Sequence, residues 1–296
     1  MDIRLTNEKV FLDVSSAGAE MQSLRDAKGR EYLWDGSDFW KRHAPYLFPI
    51  VGGLKNGETM IGGKVYKMGQ HGFARDMEWT CTEADEASAT LVLDANEATL
   101  ARFPFPFKLK VRYELEGYAV KITIAVENTG ETEMPFCFGT HPSFRCPFSG
   151  SESQFIDYEV RFDRDEIPTQ PVLNGDKLLD RVNRQSFMAD PKTIKLDYSV
   201  FEKIDTIIFD EIHSDKVRLV DTGTVKYLEL RYQGFHQMGI WTPKAGAPFV
   251  CIEPWNGTAD TADTDGLYLR KVGLRLLAPG AEESYTLTID VSGCQE

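Results

Sequence analysis

Apolar and charged residues alternate along most of the chain with a period of two. Residues 107–116 (FKLKVRYELE) keep this alternation without a break. Gly117 then begins a turn, and residues 120–126 continue the alternation. A period of two is typical of a β-strand with one buried face and one face in water. The pattern therefore predicts an antiparallel hairpin at 107–126.

The same alternation predicts further strands in both halves of the chain. These strands are expected at residues 10–14, 20–25, 31–34, 89–94, 217–220, 227–232 and 284–291. The best helical segment is short, at 96–102, and Pro104 prevents its extension. We found neither a repeat of fixed period nor a long linker, and we interpret the polar region 147–191 as a loop-rich insertion. Many short strands with almost no helix predict one all-β domain, 1–296, built as a sandwich or barrel.

Charge and cysteine content narrow the class of protein. The 296 residues include 33 Lys and Arg and 46 Asp and Glu, so the net charge is 33 − 46 = −13. Nucleic acids and anionic membranes are polyanions, so neither is an expected partner. The five cysteines have no C-x-x-C spacing, which argues against a disulfide framework or a zinc site. Without a signal peptide or a long apolar run, a cytoplasmic location is expected.

The stretch 249–257 combines an apolar run with a carboxylate and a large aromatic residue. Residues 249–252 predict a buried strand, and Glu253 follows directly. Pro254 has no backbone donor and is expected to end the pairing there. A carboxylate beside Trp255 suits a carbohydrate site, because the ring offers a stacking surface and the acid accepts hydroxyl protons. The alternative is a solvated acid at a strand end next to a core tryptophan.

Two histidines lie in settings similar to that of Glu253. His71 follows a glycine-rich turn, and His141 follows an apolar run and precedes Pro142. A lone histidine is more often structural than catalytic, but three such positions in one chain favour a shared site. Two histidines and a glutamate could also bind zinc, although the chain has no H-E-x-x-H. Neither a G-x-S-x-G hydrolase motif nor a dinucleotide-binding G-x-G-x-x-G that opens a helix is present.

One histidine and one glutamate at strand ends suit acid–base catalysis on a sugar. Interconversion of aldose anomers needs a base for the C1 hydroxyl and an acid for the ring oxygen, and no cofactor. Glycoside hydrolysis usually needs two carboxylates about 5–10 Å apart, and only one strong candidate is present. An ionised Glu253 beside Trp255 would need hydrogen bonds or a nearby positive charge to offset its burial.

Five segments in chain order resemble the aldose 1-epimerases, specifically the LacX-like branch of the galactose mutarotase-like superfamily. They lie at 42–52, 71–75, 140–144, 239–242 and 252–257, and so cover most of the chain. The resemblance implies a large antiparallel β-sandwich with a sugar groove on one sheet. It also implies an isomerase, a mutarotase of a hexose, that needs no cofactor.

The resemblance also implies roles for individual residues. Glu253 would be the general base and His141 the general acid. The groups expected to bind the ring oxygen and the hydroxyls are His71, Arg42 and Arg75. A hydroxyl-binding aspartate would be Asp205 or Asp210, with Asp205 preferred because it precedes the apolar run. Trp255 and Trp241 either line the groove or pack in the core.

Two other functions stay open at this point. Lys55, with Arg42 and Arg75, leaves a hexose-6-phosphate 1-epimerase open, although relatives often carry a basic residue where Gly53 stands. A carbohydrate-binding or sensing protein without turnover is the other alternative. The expected partner in every case is a small sugar or sugar phosphate. The sequence names neither the sugar nor the oligomeric state.

Overall fold

The computed structural model describes residues 1–148, 150–243 and 246–295. Its strands are β1 (Asp2–Thr6), β2 (Val10–Ser15), β3 (Met21–Asp26), β4 (Tyr46–Leu47), β5 (Glu58–Ile61), β6 (Lys64–Lys67), β7 (Thr80–Ala84), β8 (Ser88–Asp94), β9 (Phe107–Glu116), β10 (Ala119–Asn128), β11 (Met134–Phe136), β12 (Phe138–Thr140), β13 (Ser143–Arg145), β14 (Tyr158–Phe162), β15 (Thr169–Leu173), β16 (Leu179–Ser186), β17 (Thr193–Lys195), β18 (Thr206–Phe209), β19 (Lys216–Asp221), β20 (Tyr227–Gln233), β21 (Gln237–Trp241), β22 (Phe249–Asn256), β23 (Arg275–Leu277) and β24 (Glu282–Asp290). The α-helices are α1 (Glu97–Leu100) and α2 (Tyr198–Ile204).

A nine-stranded antiparallel sheet forms one layer, in the order β17-β14-β19-β20-β24-β10-β9-β8-β7. The predicted hairpin is its centre, since β9 pairs with β10 and Ile122 lies opposite Tyr113. The alternation of apolar and charged residues gives each of these strands one face for the core and one for water. The hairpin prediction is therefore confirmed.

The second large sheet has the order β18-β21-β22-β12-β4, and β13 also pairs with β22. Val250 and Ile252 of β22 share one apolar core with Ile124 and Leu287 of the nine-stranded sheet. The sheets thus pack as an antiparallel β-sandwich, as expected. Cys251, Glu253 and Trp255 alternate with the core residues and so project from the opposite face of β22.

Pro254 does not end β22, contrary to the sequence prediction. The strand continues to Asn256, with Pro254 opposite Met238 of β21. On its other side β22 pairs with β12 at Trp255 and with β13 at Cys251, and no strand pairs with Pro254 between them. Strand pairing on that side therefore needs no hydrogen-bond donor at Pro254. As a result, Glu253 lies within the strand and not at its end.

Two other sequence predictions differ from the structure, and one helix was not predicted. Region 147–191 is not an irregular insertion: it contains β14, which belongs to the large sheet, and the hairpin β15–β16. Residues 31–34 form only isolated bridges. Helix α2 was not predicted. The hairpin strand β16 is mostly exposed and polar, so it carries little of the alternation on which strand prediction depends. Among the described residues, no helix is long and apolar enough to cross a membrane.

Candidate active site

The gap between β12 and β13 brings His141 to Glu253. Both strands pair with β22, but the chain leaves the sheet at His141 and Pro142 before it returns. His141 Nε2 lies 3.1 Å from Glu253 Oε2. His141 is only 6% exposed and Glu253 only 1%. The two side chains therefore form a buried pair that can exchange a proton directly.

His71 stands edge-on to His141, with ring centroids 5.6 Å apart. The ring Nδ1 of His71 accepts a hydrogen bond from the backbone N–H of Gly52 at 3.1 Å. The backbone N–H of His71 donates to the Gly52 carbonyl at 2.8 Å. A neutral imidazole that accepts at Nδ1 carries its hydrogen on Nε2. His71 thus offers one fixed donor. Its positive φ of 66° is unusual for a residue with a side chain and indicates a constrained position.

These side chains open onto a cavity of about 320 Å³. The candidate residues that line it are His71, Arg75, His141, Asp205, Glu253 and Trp255. Arg42 is not in the lining: its guanidinium lies 2.6 Å from Asp76. Asp210 is also absent, because it forms a two-bond ion pair with Arg184 at 2.8 and 2.9 Å. Of the two candidate aspartates, Asp205 therefore lines the cavity and Asp210 does not.

The indole of Trp255 lies against a glycine on each neighbouring strand. A Cβ at Gly239 of β21 would lie 2.3 Å from the indole, and one at Gly139 of β12 would lie 2.7 Å from it. The two glycines flank Trp255 on either side of β22. They form a slot that holds the indole against the cavity, so Trp255 is a lining residue as well as a packed one.

Two further tryptophans enclose the acid–base pair. The ring of Trp40 stacks on His141 at 4.7 Å, and Trp241 meets the same imidazole edge-on at 5.8 Å. Both line the cavity. The sequence pattern indicates Trp241 but not Trp40, which lies in a segment without periodicity. Gln70, Lys177 and Thr206 also line the cavity and were missed, because only the tertiary fold brings their segments to the site.

Burial dominates the protonation of the pair. Desolvation raises the pKa of Glu253 well above 4.5, with Trp255 acting weakly in the opposite direction. Desolvation also lowers the pKa of His141 to about 3, and nearby Arg75 and Arg42 act in the same direction. Burial thus favours the uncharged form of each group, in which the pair as a whole carries one proton. An ionised Glu253 would need hydrogen bonds or a nearby positive charge, but the one favourable contribution is a hydrogen bond from Trp255, and burial outweighs it.

The pKa of His71 is also lowered well below 6.5, first by burial and then by His141, Arg75 and two more distant cations. His71 is therefore neutral at physiological pH. This state agrees with the acceptor role of its Nδ1, which a protonated imidazole could not fill.

A metal site is the alternative use of these groups. His141, Cys251 and Glu253 offer ligand atoms within 4.8 Å of one another, the one such group among the described residues. However, Cys251 does not line the cavity, and burial raises the pKa of its thiol well above 9.0. A metal ligand must be the thiolate. The group therefore fits an acid–base pair with a packed cysteine better than a metal centre.

Comparison with known proteins agrees with this geometry. The sequence model of the family described as aldose 1-epimerase matches residues 1–271. Two LacX proteins of Lactococcus lactis subsp. lactis, one chromosomal and one plasmid-borne, are each 32% identical over 302 residues, which covers 98% of this chain and 99% of theirs.

Solved structures are similar over the same length. A galactose mutarotase related enzyme from Lactobacillus acidophilus has a TM-score of 0.91 and 33% identity, with coverage of 98% of this chain and 97% of that one. A galactose mutarotase-like protein from Lactobacillus casei has a TM-score of 0.90 and 29% identity, with coverage of 98% and 99%. The chain therefore belongs to the aldose 1-epimerase family and has the galactose mutarotase-like fold.

Proposed function

We propose that this protein is a mutarotase that interconverts the α and β anomers of a neutral hexose. The observation that carries the proposal is the buried His141–Glu253 pair, with 3.1 Å between its polar atoms, at the wall of a sugar-sized cavity. Buried polar groups normally have partners. Here His141 Nδ1 and Arg75 Nε have none among the described residues, and both side chains line the cavity. The cavity wall thus contains polar groups that the protein itself leaves unpaired.

The proposed reaction starts from the arrangement in which the pair's one proton lies on His141. Glu253 then takes the proton from the C1 hydroxyl while His141 gives its proton to the ring oxygen. The C1–ring oxygen bond breaks, and C1 becomes a carbonyl. Rotation about the C1–C2 bond presents the other carbonyl face, and the reverse transfers close the ring as the other anomer. His71 and Arg75 would hold the ring oxygen and hydroxyls, and the step consumes no co-reactant.

The charges around the cavity favour a neutral sugar over a hexose 6-phosphate. Lys177 is paired with Asp205 at 2.5 Å, and Arg42 with Asp76 at 2.6 Å. Lys55 does not line the cavity and donates to the carbonyl of Ala262 at 2.8 Å. Phosphate sites normally offer unneutralised Arg or Lys groups. Arg75 is the one lining cation without an ion-pair partner among the described residues.

A rate panel over free hexoses and their 6-phosphates tests the proposal. We expect anomer conversion, followed by polarimetry, to exceed the uncatalysed rate for at least one free hexose. The corresponding 6-phosphate should react with a kcat/KM at least about tenfold lower, a difference of about 1.4 kcal/mol. Faster conversion of the phosphate would favour the epimerase of hexose phosphates. Saturable sugar binding without any rate enhancement would favour a non-catalytic sensor.

The pH dependence of kcat/KM should show a broad plateau. The active form needs one proton on the pair. A second proton is added only below the lowered pKa of His141, about 3, and the first is lost only above the raised pKa of Glu253. The acid limb should therefore lie well below pH 6.5, near pH 3, and the alkaline limb should lie well above pH 4.5. Stopped-flow polarimetry across the pH range measures this. A narrow bell between 4.5 and 6.5 would show that the two groups titrate independently.

We also propose that the chain acts as one domain. The main apolar core includes Ile3 near one end of the described chain and Cys294 near the other. Both large sheets contribute to this core, and two smaller apolar clusters involve other residues of the second sheet.

A further inference from the structure

An ion pair that the sugar proposal does not use lies in the wall of the cavity. Lys177 Nζ is 2.5 Å from Asp205 Oδ1, and both residues line the cavity. Lys177 comes from the turn between β15 and β16, and Asp205 from the junction of α2 and β18. Both have positive φ values, 61° and 63°. Side chains in this conformation cost energy and persist where the surroundings hold them.

The surroundings do hold the β15–β16 hairpin. The buried Gln170 side chain donates to the Thr206 carbonyl and accepts from the Ile208 N–H, each at 2.9 Å. On the other side, the Leu179 N–H donates to the Asp260 carbonyl at 2.9 Å. The hairpin is thus fastened to β18 and to the loop that follows β22. Lys177 is therefore directed at the cavity by the fold and is not a freely moving surface lysine.

We propose that Lys177 determines sugar specificity by reading one hydroxyl group together with Asp205. The ammonium would donate to the hydroxyl oxygen, and the carboxylate would accept the hydroxyl proton. Such a pair bonds both the oxygen and the hydrogen of a hydroxyl group only when that hydroxyl projects from one face of the sugar ring. This inference rests on the proposed mutarotase function and adds a substrate class: neutral aldoses with a free hydroxyl of one configuration at that carbon.

The adjacent charges explain why a hydroxyl is the matching group. An anion at Lys177 would lie against the Asp205 carboxylate, and an apolar substituent would separate the ion pair without replacing its bonds. A site built to bond a hydroxyl rejects an analogue that lacks it, because its polar groups are left unpaired. Asp205 Oδ2 also accepts from Thr206 Oγ1 at 3.1 Å, which orients the carboxylate.

The test is a thermodynamic cycle that removes the Lys177 side chain and one sugar hydroxyl, first separately and then together. Wild type and Lys177→Met are assayed by polarimetry on a good hexose substrate and on its monodeoxy analogues. For wild type, removal of the hydroxyl at one carbon should lower kcat/KM by about tenfold or more. Lys177→Met should show a similar loss on the full sugar. The variant and wild type should agree within about twofold on that one deoxy sugar.

Lys192→Met is the matched control. Lys192 is 51% exposed and ion-paired with Asp165, and Lys177 is 55% exposed, but Lys192 does not line the cavity. The control should behave as wild type on every sugar, and Lys177→Arg should recover part of the selectivity. If Lys177→Met changes kcat/KM by the same factor for all deoxy sugars, or changes it for none, Lys177 does not recognise one particular hydroxyl group. A wild type inactive on every sugar would instead reject the mutarotase function itself.

Discussion

Glu253→Gln is expected to lower kcat for anomer interconversion by about 10³-fold, within the range typical of a lost general base. The amide has nearly the same shape as the acid, so it should keep its place beside His141, but it cannot take the C1 hydroxyl proton. His141→Asn should cause a comparable loss. The measurement is the initial polarimetric rate with freshly dissolved α-hexose, with the uncatalysed rate subtracted.

Glu253→Gln should not destabilise the fold. A carboxyl group whose folded pKa lies above 4.5 holds its proton longer in the folded state than in the unfolded state. The protein therefore loses stability as the pH rises from 4.5 toward the folded pKa. Glutamine removes this cost, so the variant should melt at an equal or higher temperature at pH 7. An inactive variant with a lower melting temperature would point to misfolding, whereas unchanged activity would remove Glu253 from the mechanism.

Asp260→Asn is expected to destabilise the protein by about 3–5 kcal/mol, because it leaves a buried ammonium without its counter-charge. Lys271 Nζ lies 2.9 Å from Asp260 Oδ1, and the side chains are only 1% and 6% exposed. The other carboxylate oxygen of Asp260, Oδ2, accepts a hydrogen bond from the backbone N–H of Lys55 at 3.0 Å. One amide oxygen cannot serve both donors. Urea unfolding of the variant measures the loss.

Asp260 also bears on the site through the loop that holds His71. Its carboxylate oxygen Oδ2 accepts from the backbone N–H of Lys55 at 3.0 Å, three residues after the Gly52 that binds His71. Gly52 itself packs so closely that a Cβ there would lie 2.5 Å from the backbone of Ala259. Asp260→Asn should therefore raise KM as well as lower stability.

A double variant separates the two effects. Adding Lys271→Met to Asp260→Asn removes the unpaired charge and should recover most of the stability. KM should stay raised, because the aspartate that anchors the His71 loop is still absent. Recovery of both stability and KM would mean that Asp260 acts only as a counter-ion, and an unaffected single variant would show that the ion pair contributes nothing to the fold.

The local pattern of apolar and polar residues was sufficient to predict a strand where one face of that strand is buried. The period-two alternation at 107–126 predicted β9 and β10 because each side chain's environment depends on its position along the strand. The same logic failed for β16, whose side chains are mostly exposed, and for Pro254, whose tolerance depends on a break in a neighbouring strand. Composition and motif order were sufficient for the fold class and the family.

The sequence by itself determined the all-β class, the candidates His71, His141 and Glu253, and the resemblance to aldose 1-epimerases. Only the tertiary structure decided that these three side chains meet at one cavity, that Asp205 lines it while Asp210 binds Arg184, and that Lys177 joins it. The physical reason is that alternation and motifs are encoded in neighbouring residues. Distances, burial and the resulting pKa shifts arise from pairing between segments far apart in the chain.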